Sequence, residues 1–280
     1  MAADRSEDPC LGALGLQHDL HPHRSTGHLK RYTFHMAAAA DALDDPETTA
    51  TRRTLLRNGG YLRKLYEHWY DLLVEQLPRI SGEVLELGSG GGFLDDLIPD
   101  LRTSDVMSIP GVELLVDARS LPFKDRALRA IVGTNVLHHV PDIDRFFAEA
   151  QRTLAPNGRL VFIEPWPTLL SKLVYRFLHH EPFDQSRDWS IPAGGPLTAA
   201  NGALPWIVFH RDRTDFERRF PYLRVVSIDP LMPFSYLVSG GIGRSWPLPA
   251  RLFQIVEWLE RPFRCFGLFA RIVVERRATS

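Results

Sequence analysis

Residues 84–93, Val-Leu-Glu-Leu-Gly-Ser-Gly-Gly-Gly-Phe, constrain the fold more tightly than any other stretch of the chain. Val84, Leu85 and Leu87 form a short apolar run of the kind that a parallel strand buries on both faces. Gly88, Gly90, Gly91 and Gly92 then clear side chains from the following turn, so a ligand can approach its backbone. Glu86 stands just before the glycines, where it would repel a phosphate and accept an ammonium or hydroxyl group. The stretch therefore favours a cationic, phosphate-free ligand. The dinucleotide pattern G-x-G-x-x-G fails, because it needs glycine at position 93 and the chain has Phe93.

The chain has 280 residues, 44% of them hydrophobic, and a formal net charge of -1. That is enough apolar material for a large core, and the charge gives no global attraction to nucleic acid. The N-terminus lacks the basic-then-apolar order of a secretory signal, and no apolar run approaches the roughly 20 residues of a membrane span. With two widely separated cysteines, Cys10 and Cys265, a cytoplasmic protein is expected. Residues 1–50 have no sustained period and read as a weakly ordered arm; its histidines, His18, His21, His23, His28 and His35, are irregularly spaced surface residues. The domain proper is expected over 51–280. It opens with one or two amphipathic helices from Thr51 to Leu77, broken at Gly59 and Gly60 and ended by Pro78. Their aromatic cluster, Tyr61, Tyr66, Trp69 and Tyr70, fits core packing or the wall of a site.

After the glycine loop, apolar runs predict further strands at 101–107, 111–116, 130–136 and 159–163, with a helix from Arg145 to Leu154. This alternation implies an α/β, Rossmann-like, doubly wound sheet. Asp105 lies near the end of the second strand, where a carboxylate accepts ribose hydroxyls in nucleoside-binding folds of this class. Asp117 follows the third strand, suited either to accept from an adenine amino group or to cap a helix.

Four motifs, Glu86-Leu-Gly-Ser-Gly-Gly-Gly92, Asp117-Ala-Arg-Ser-Leu-Pro-Phe123, Asn135-Val-Leu-His-His139 and Leu154-Ala-Pro-Asn-Gly-Arg-Leu160, occur in this order and spacing. Together they resemble the class I S-adenosylmethionine-dependent methyltransferases of the type-11 group, which includes ubiquinone and menaquinone biosynthesis enzymes. The resemblance implies seven strands in the order 3-2-1-4-5-7-6 with the last antiparallel. It also implies S-adenosylmethionine as cofactor, released as S-adenosylhomocysteine. By position, it carries cofactor-binding roles to Glu86, Gly88, Ser89, Gly90, Gly92, Phe93, Asp105, Asp117, Ala118 and Asn135. One departure stands out: the helix that the family sets between the second and third strands must be short or missing, because Asp117 follows Asp105 so closely.

The resemblance leaves two long connections, at about 166–221 and 230–266, as caps after strands 5 and 6. Such loops are usually functional. They carry Trp166, Trp189, Trp206 and Trp246, from which a pocket for a small apolar or aromatic acceptor is expected. An apolar helix at 167–179 offers a face for the core, the cofactor or lipid. Methyl transfer is an in-line displacement that needs alignment and, for some acceptors, a general base. His139, His138 and Glu164 lie at the carboxyl edge of the sheet and are the candidates; consecutive residues point differently, so one histidine of the pair is expected to face the cleft. His179, His180, His210 and Asp212 are secondary candidates in the caps. Related quinone O-methyltransferases carry an acidic residue where this chain has His138, so no metal is expected. Two other classes share the fold: an enzyme using the cofactor for a non-methylating reaction, and a non-catalytic scaffold.

Overall fold

The computed structural model describes residues 44–57, 59–177, 181–241 and 248–278. His18 to His35, His179, His180 and Trp246 lie outside them. Helices α1 (Pro46–Arg57) and α2 (Gly60–Val74) precede the sheet. The break between them falls at Gly59 and Gly60, whose φ of 90° and 83° suit residues without a Cβ. Helix α1 begins inside the stretch read as an arm, because its polar sequence carries little apolar period and only Thr49 and Leu56 are buried.

Seven strands follow: β1 (Glu83–Glu86), β2 (Leu101–Asp105), β3 (Leu114–Leu115), β4 (Leu128–Thr134), β5 (Leu154–Pro165), β6 (Leu223–Leu231) and β7 (Phe269–Arg276). They form one sheet in the order β3-β2-β1-β4-β5-β7-β6. All neighbours pair in parallel except β7, which runs antiparallel to both β5 and β6. Between β2 and β3 there is no helix, as the short spacing required.

The strands divide their side chains with the period of two that a pleated sheet imposes. Leu85, Ile131, Leu160, Phe162 and Ile272 enter one core; Val84, Ala130, Val132, Val161 and Val273 enter the other. Helix α3 (Ile143–Thr153) covers the first face through Phe146 and Phe147. Asp142 caps it, its Oδ1 accepting the Arg145 N–H at 3.1 Å, a bond worth about 1 kcal/mol. The helical turn Leu204–Trp206, its continuation Ile207–Arg211 and α5 (Arg213–Arg219) complete that layer, with Phe209, Phe216 and Phe147 ring to ring. The second face takes residues of α1 and α2, and of α4 (Leu169–Phe177), α6 (Ser235–Ser239) and α7 (Arg251–Glu260).

The caps differ from expectation in one respect. Trp166 is buried in the core, and Trp189 and Trp206 pack against the same cluster. These tryptophans build the first layer and leave the pocket to other residues.

Candidate active site

At the carboxyl edge of the sheet lies a cavity of about 490 Å³. Its floor is the glycine loop. Gly88 has φ of 62° and Gly90 has φ of 50°, both in the left-handed region, and a Cβ on Gly88 would meet Val136 Cγ2 at 2.8 Å. The loop is clipped to β2: Ser89 N–H donates to Ser104 O at 2.8 Å, and Ser104 N–H donates to Ser89 Oγ at 3.0 Å. Asp105 binds the same loop, its Oδ2 accepting Gly90 N–H at 3.1 Å and its Oδ1 accepting Met107 N–H at 2.9 Å. Burial raises its pKa, and those backbone bonds oppose the rise. The carboxylate is thus fixed beside the cavity, with lone pairs left to accept from a ligand.

Gly88, Ser89, Gly90, Gly92, Asp105, Asp117, Ala118 and Asn135 all line the cavity, so most of the positions inferred for cofactor binding are together. The Asp117 carboxylate is shared with Arg119, which donates from its backbone N–H at 2.9 Å and from its guanidinium at 2.6 Å; those bonds hold the Asp117 pKa down. Asn135, the residue after β4, has φ of 55°, a conformation that non-glycine residues adopt at a cost of about 1–3 kcal/mol and that collects at ligand sites.

Two inferred positions lie behind the wall. Phe93 is fully buried and edge-on to Tyr70, with ring centroids 4.9 Å apart; it is a core residue. Glu86 is buried beneath the loop, outside the lining. Burial pushes its carboxyl up to about 7, against a hydrogen bond from Ser89. Any effect of Glu86 on a ligand passes through the loop.

The histidine pair stands on a 3-10 turn, Leu137–His139, after β4. Glu164, at the end of β5, holds that turn: its Oε1 accepts the Val136 and Leu137 N–H groups at 2.8 Å each, and its Oε2 lies 2.6 Å from His138 Nδ1. With those partners Glu164 is fully buried and outside the lining, a geometry suited to positioning the turn and His138. Both histidines line the cavity, where one was expected, because the turn tilts their rings side by side at 4.2 Å. His139 Nδ1 lies 3.0 Å from Ala199 O. A carbonyl only accepts, so the proton sits on Nδ1 and Nε2 offers its lone pair. Burial would depress the His138 pKa, but the charge and hydrogen bond of Glu164 outweigh it and raise it to about 10. His139 falls to about 4, through burial and then the charge of His138. Near neutrality the pair is one imidazolium and one neutral imidazole.

Several site residues were missed from sequence. Glu181 comes from the first cap, with its carboxylate 3.5 Å from His138 Nε2 and 3.9 Å from His139 Nε2. Donor atoms of His138, His139 and Glu181 lie within 4.8 Å of one another, a set that also suits a divalent metal ion, which the sequence did not lead us to expect. Thr49 and Arg52, one turn apart on α1, line the cavity, and Thr49 Oγ1 is buried with no hydrogen-bond partner among the described residues. The aromatic lining is Tyr66, Tyr70, Tyr175, Tyr236 and Phe269. Of the aromatic cluster on α2, Tyr66 and Tyr70 reach the cavity while Trp69 and Tyr61 are core residues. His210 is exposed beside Trp206, and Asp212 accepts from Trp189 Nε1 at 2.9 Å; neither lines the cavity.

Residues 85–162 match the family model described as a methyltransferase domain. The ubiquinone/menaquinone biosynthesis C-methyltransferase UbiE of Rickettsia prowazekii is 24% identical over 126 residues, 36% of this chain and 51% of that protein. The human mitochondrial arginine-hydroxylase NDUFAF5 is 30% identical over 105 residues, 32% of this chain and 30% of that one. The chain thus spans about half the length of the first relative and less of the other. Among solved structures, geranyl diphosphate C-methyltransferase from Streptomyces coelicolor A3(2) aligns with a TM-score of 0.46 at 14% identity, covering 78% of this chain and 82% of that one. These matches support a class I S-adenosylmethionine-dependent methyltransferase domain of the type-11 group over residues 85–162.

Proposed function

We propose that the cavity binds S-adenosylmethionine and that the protein transfers its methyl group to a small apolar or aromatic acceptor. The observation that carries this reading is the convergence, at one sheet edge, of the glycine loop, the fixed Asp105 carboxylate and the Asp117-Ala118 turn. The family match over the same strands supports it. Asp105 would accept the ribose hydroxyls, and Val106 and Met107, which line the same part of the cavity, would cover the base. Thr49 and Arg52 supply a hydroxyl and a cation for the amino-acid carboxylate, which gives the buried Thr49 oxygen its partner. When bound, the cofactor supplies an electrophilic methyl on a sulfonium.

The protein's part is then to align the acceptor and exclude water. Tyr66, Tyr175, Tyr236 and Phe269 give the remaining wall an aromatic face that suits an apolar acceptor. His139, neutral and with Nε2 free to accept, takes the acceptor's proton where one must leave. His138 and Glu164 fix its surroundings.

The test is a screen of hydroxylated aromatics, quinols and carboxylic acids for S-adenosylhomocysteine release with recovery of the methylated product. Turnover of apolar acceptors is expected; methylation of short polar substrates alone would overturn the acceptor class. One observation favours a second reading. A relative 30% identical over 105 residues is named an arginine-hydroxylase, so likeness over such a stretch does not fix methyl transfer by itself. Consumption of an acceptor without S-adenosylhomocysteine release would select that reading.

A further inference from the structure

A helix packed on a globular core normally turns a polar face outward. Helix α4 does not. Leu170, Val174 and Tyr175 pack inward, while Leu169, Leu173 and Phe177 are exposed, Phe177 by 69%. Helix α7 repeats the pattern: Phe253 is buried, and Ile255, Trp258 and Leu259 face out, Trp258 by 65%. The 3-10 turn after it, Arg261–Phe266, adds exposed Phe263, and α6 with its preceding residue adds Phe234, Leu237 and Val238. These elements adjoin. The turn contacts α4, α6 contacts α7, and the Phe234 and Phe263 rings lie 5.8 Å apart.

Charge on the same surface has one sign outward. Lys172 and Arg176 alternate with Leu169, Leu173 and Phe177 on α4, and Arg251, Arg261 and Arg264 flank the apolar residues of α7 and the turn; all five are exposed. The acidic residues of these segments are Glu257 and Glu260. Glu257 is held by Arg261 at 3.0 Å, and Glu260 is buried, accepting Phe234 N–H at 2.9 Å and Ser235 N–H at 2.8 Å. For a chain of net charge -1, this is a local excess of positive charge around exposed apolar side chains.

We propose that this face docks onto the surface of an anionic lipid bilayer. Apolar side chains entering the acyl boundary, with lysine and arginine at headgroup level, are the composition of an interfacial helix surface. Among the described residues, no helix is long and apolar enough to cross a membrane, and the contact proposed is a peripheral one. The reverse sides of α4 and α6 bring Val174, Tyr175 and Tyr236 to the cavity, so the docked elements are also cavity walls. On the function proposed above, this is the side from which a lipophilic acceptor arrives.

The experiment is flotation of the full-length protein with phosphatidylcholine vesicles, with and without 30% phosphatidylglycerol, in about 0.1 M salt. Strong binding to the anionic vesicles is expected, falling at least tenfold without phosphatidylglycerol or in 0.5 M salt. Trp258→Ser with Leu173→Ser should reduce binding at least tenfold, and Lys172→Glu with Arg176→Glu likewise, while melting temperatures stay near wild type because the replaced side chains are exposed. Absence of flotation, or flotation indifferent to these changes, would overturn the proposal. So would light scattering showing a dimer that the Trp258→Ser and Leu173→Ser variant dissociates, since a second copy would then cover the face. Flotation needs no cofactor, so its failure is distinguishable from failure of methyl transfer.

Discussion

Replacing Glu164 with Gln isolates the part of the site that the structure specifies most tightly. The amide oxygen can still accept the Val136 and Leu137 N–H groups, but the amide nitrogen then faces His138 Nδ1 and the negative charge is gone. His138 is 2% exposed, and its pKa rises from 6.5 to about 10 in the native protein. At about 1.4 kcal/mol per pKa unit, that rise corresponds to about 5 kcal/mol. Glu181 survives the change and retains part of it, so a loss of about 3–4 kcal/mol is expected, within the usual range for breaking a buried ion pair. For a domain of this size that lowers the melting temperature by on the order of 10 °C. The pH dependence follows from the sign of the shift. A histidine raised on folding contributes fully below its unfolded pKa of about 6.5, and the contribution is lost as pH rises through about 10. The gap between wild type and Glu164→Gln should therefore be widest near pH 6 and close towards pH 10, as read by calorimetry or denaturant titration. In a His138→Asn background the Gln substitution should cost much less. A gap that is constant from pH 6 to 10, or absent, would show that His138 is neutral and refute the argument.

Three further outcomes are expected. Arg52→Ala should weaken S-adenosylhomocysteine binding at least tenfold yet leave 5′-methylthioadenosine, which lacks the amino-acid carboxylate, unchanged in titration calorimetry; equal losses would place Arg52 elsewhere. His139→Ala should lower kcat by about 10²–10⁴-fold for an acceptor that must lose a proton, and, because the His139 pKa is lowered to about 4, wild-type turnover should be flat in this group between pH 5.5 and 8. Turnover should survive EDTA if the His138, His139 and Glu181 cluster moves protons; loss restored by a divalent ion would assign the cluster to a metal.

What the sequence revealed followed from local physics. The glycine floor and the parallel strands beside it were legible because apolar runs and φ-permissive glycines are contiguous in the chain, whereas strand order and the place of Asn135 came from the family resemblance. That the helix between Asp105 and Asp117 is short or missing was legible from their spacing set against the pattern of the resembling family. Glu164 was placed at the correct edge, but its three contacts with the turn after β4 were not legible, since they depend on how that turn folds back. Glu181, Thr49 and Arg52 were invisible because they reach the cavity from the first cap and from α1, where neither period nor motif marks them. The tryptophans misled for the opposite reason. Their size suits a core as well as a pocket, and the layer beneath Phe147 and Phe216 claimed Trp189, while tyrosines on α2, α4 and α6 took the cavity.

Titration calorimetry with S-adenosylhomocysteine, on wild type and Asp105→Ala, tests the central claim most directly. A single saturable site, weakened at least tenfold by loss of the Asp105 carboxylate, is the result this account requires. Absence of binding to wild-type protein, or equal binding by both, would contradict it.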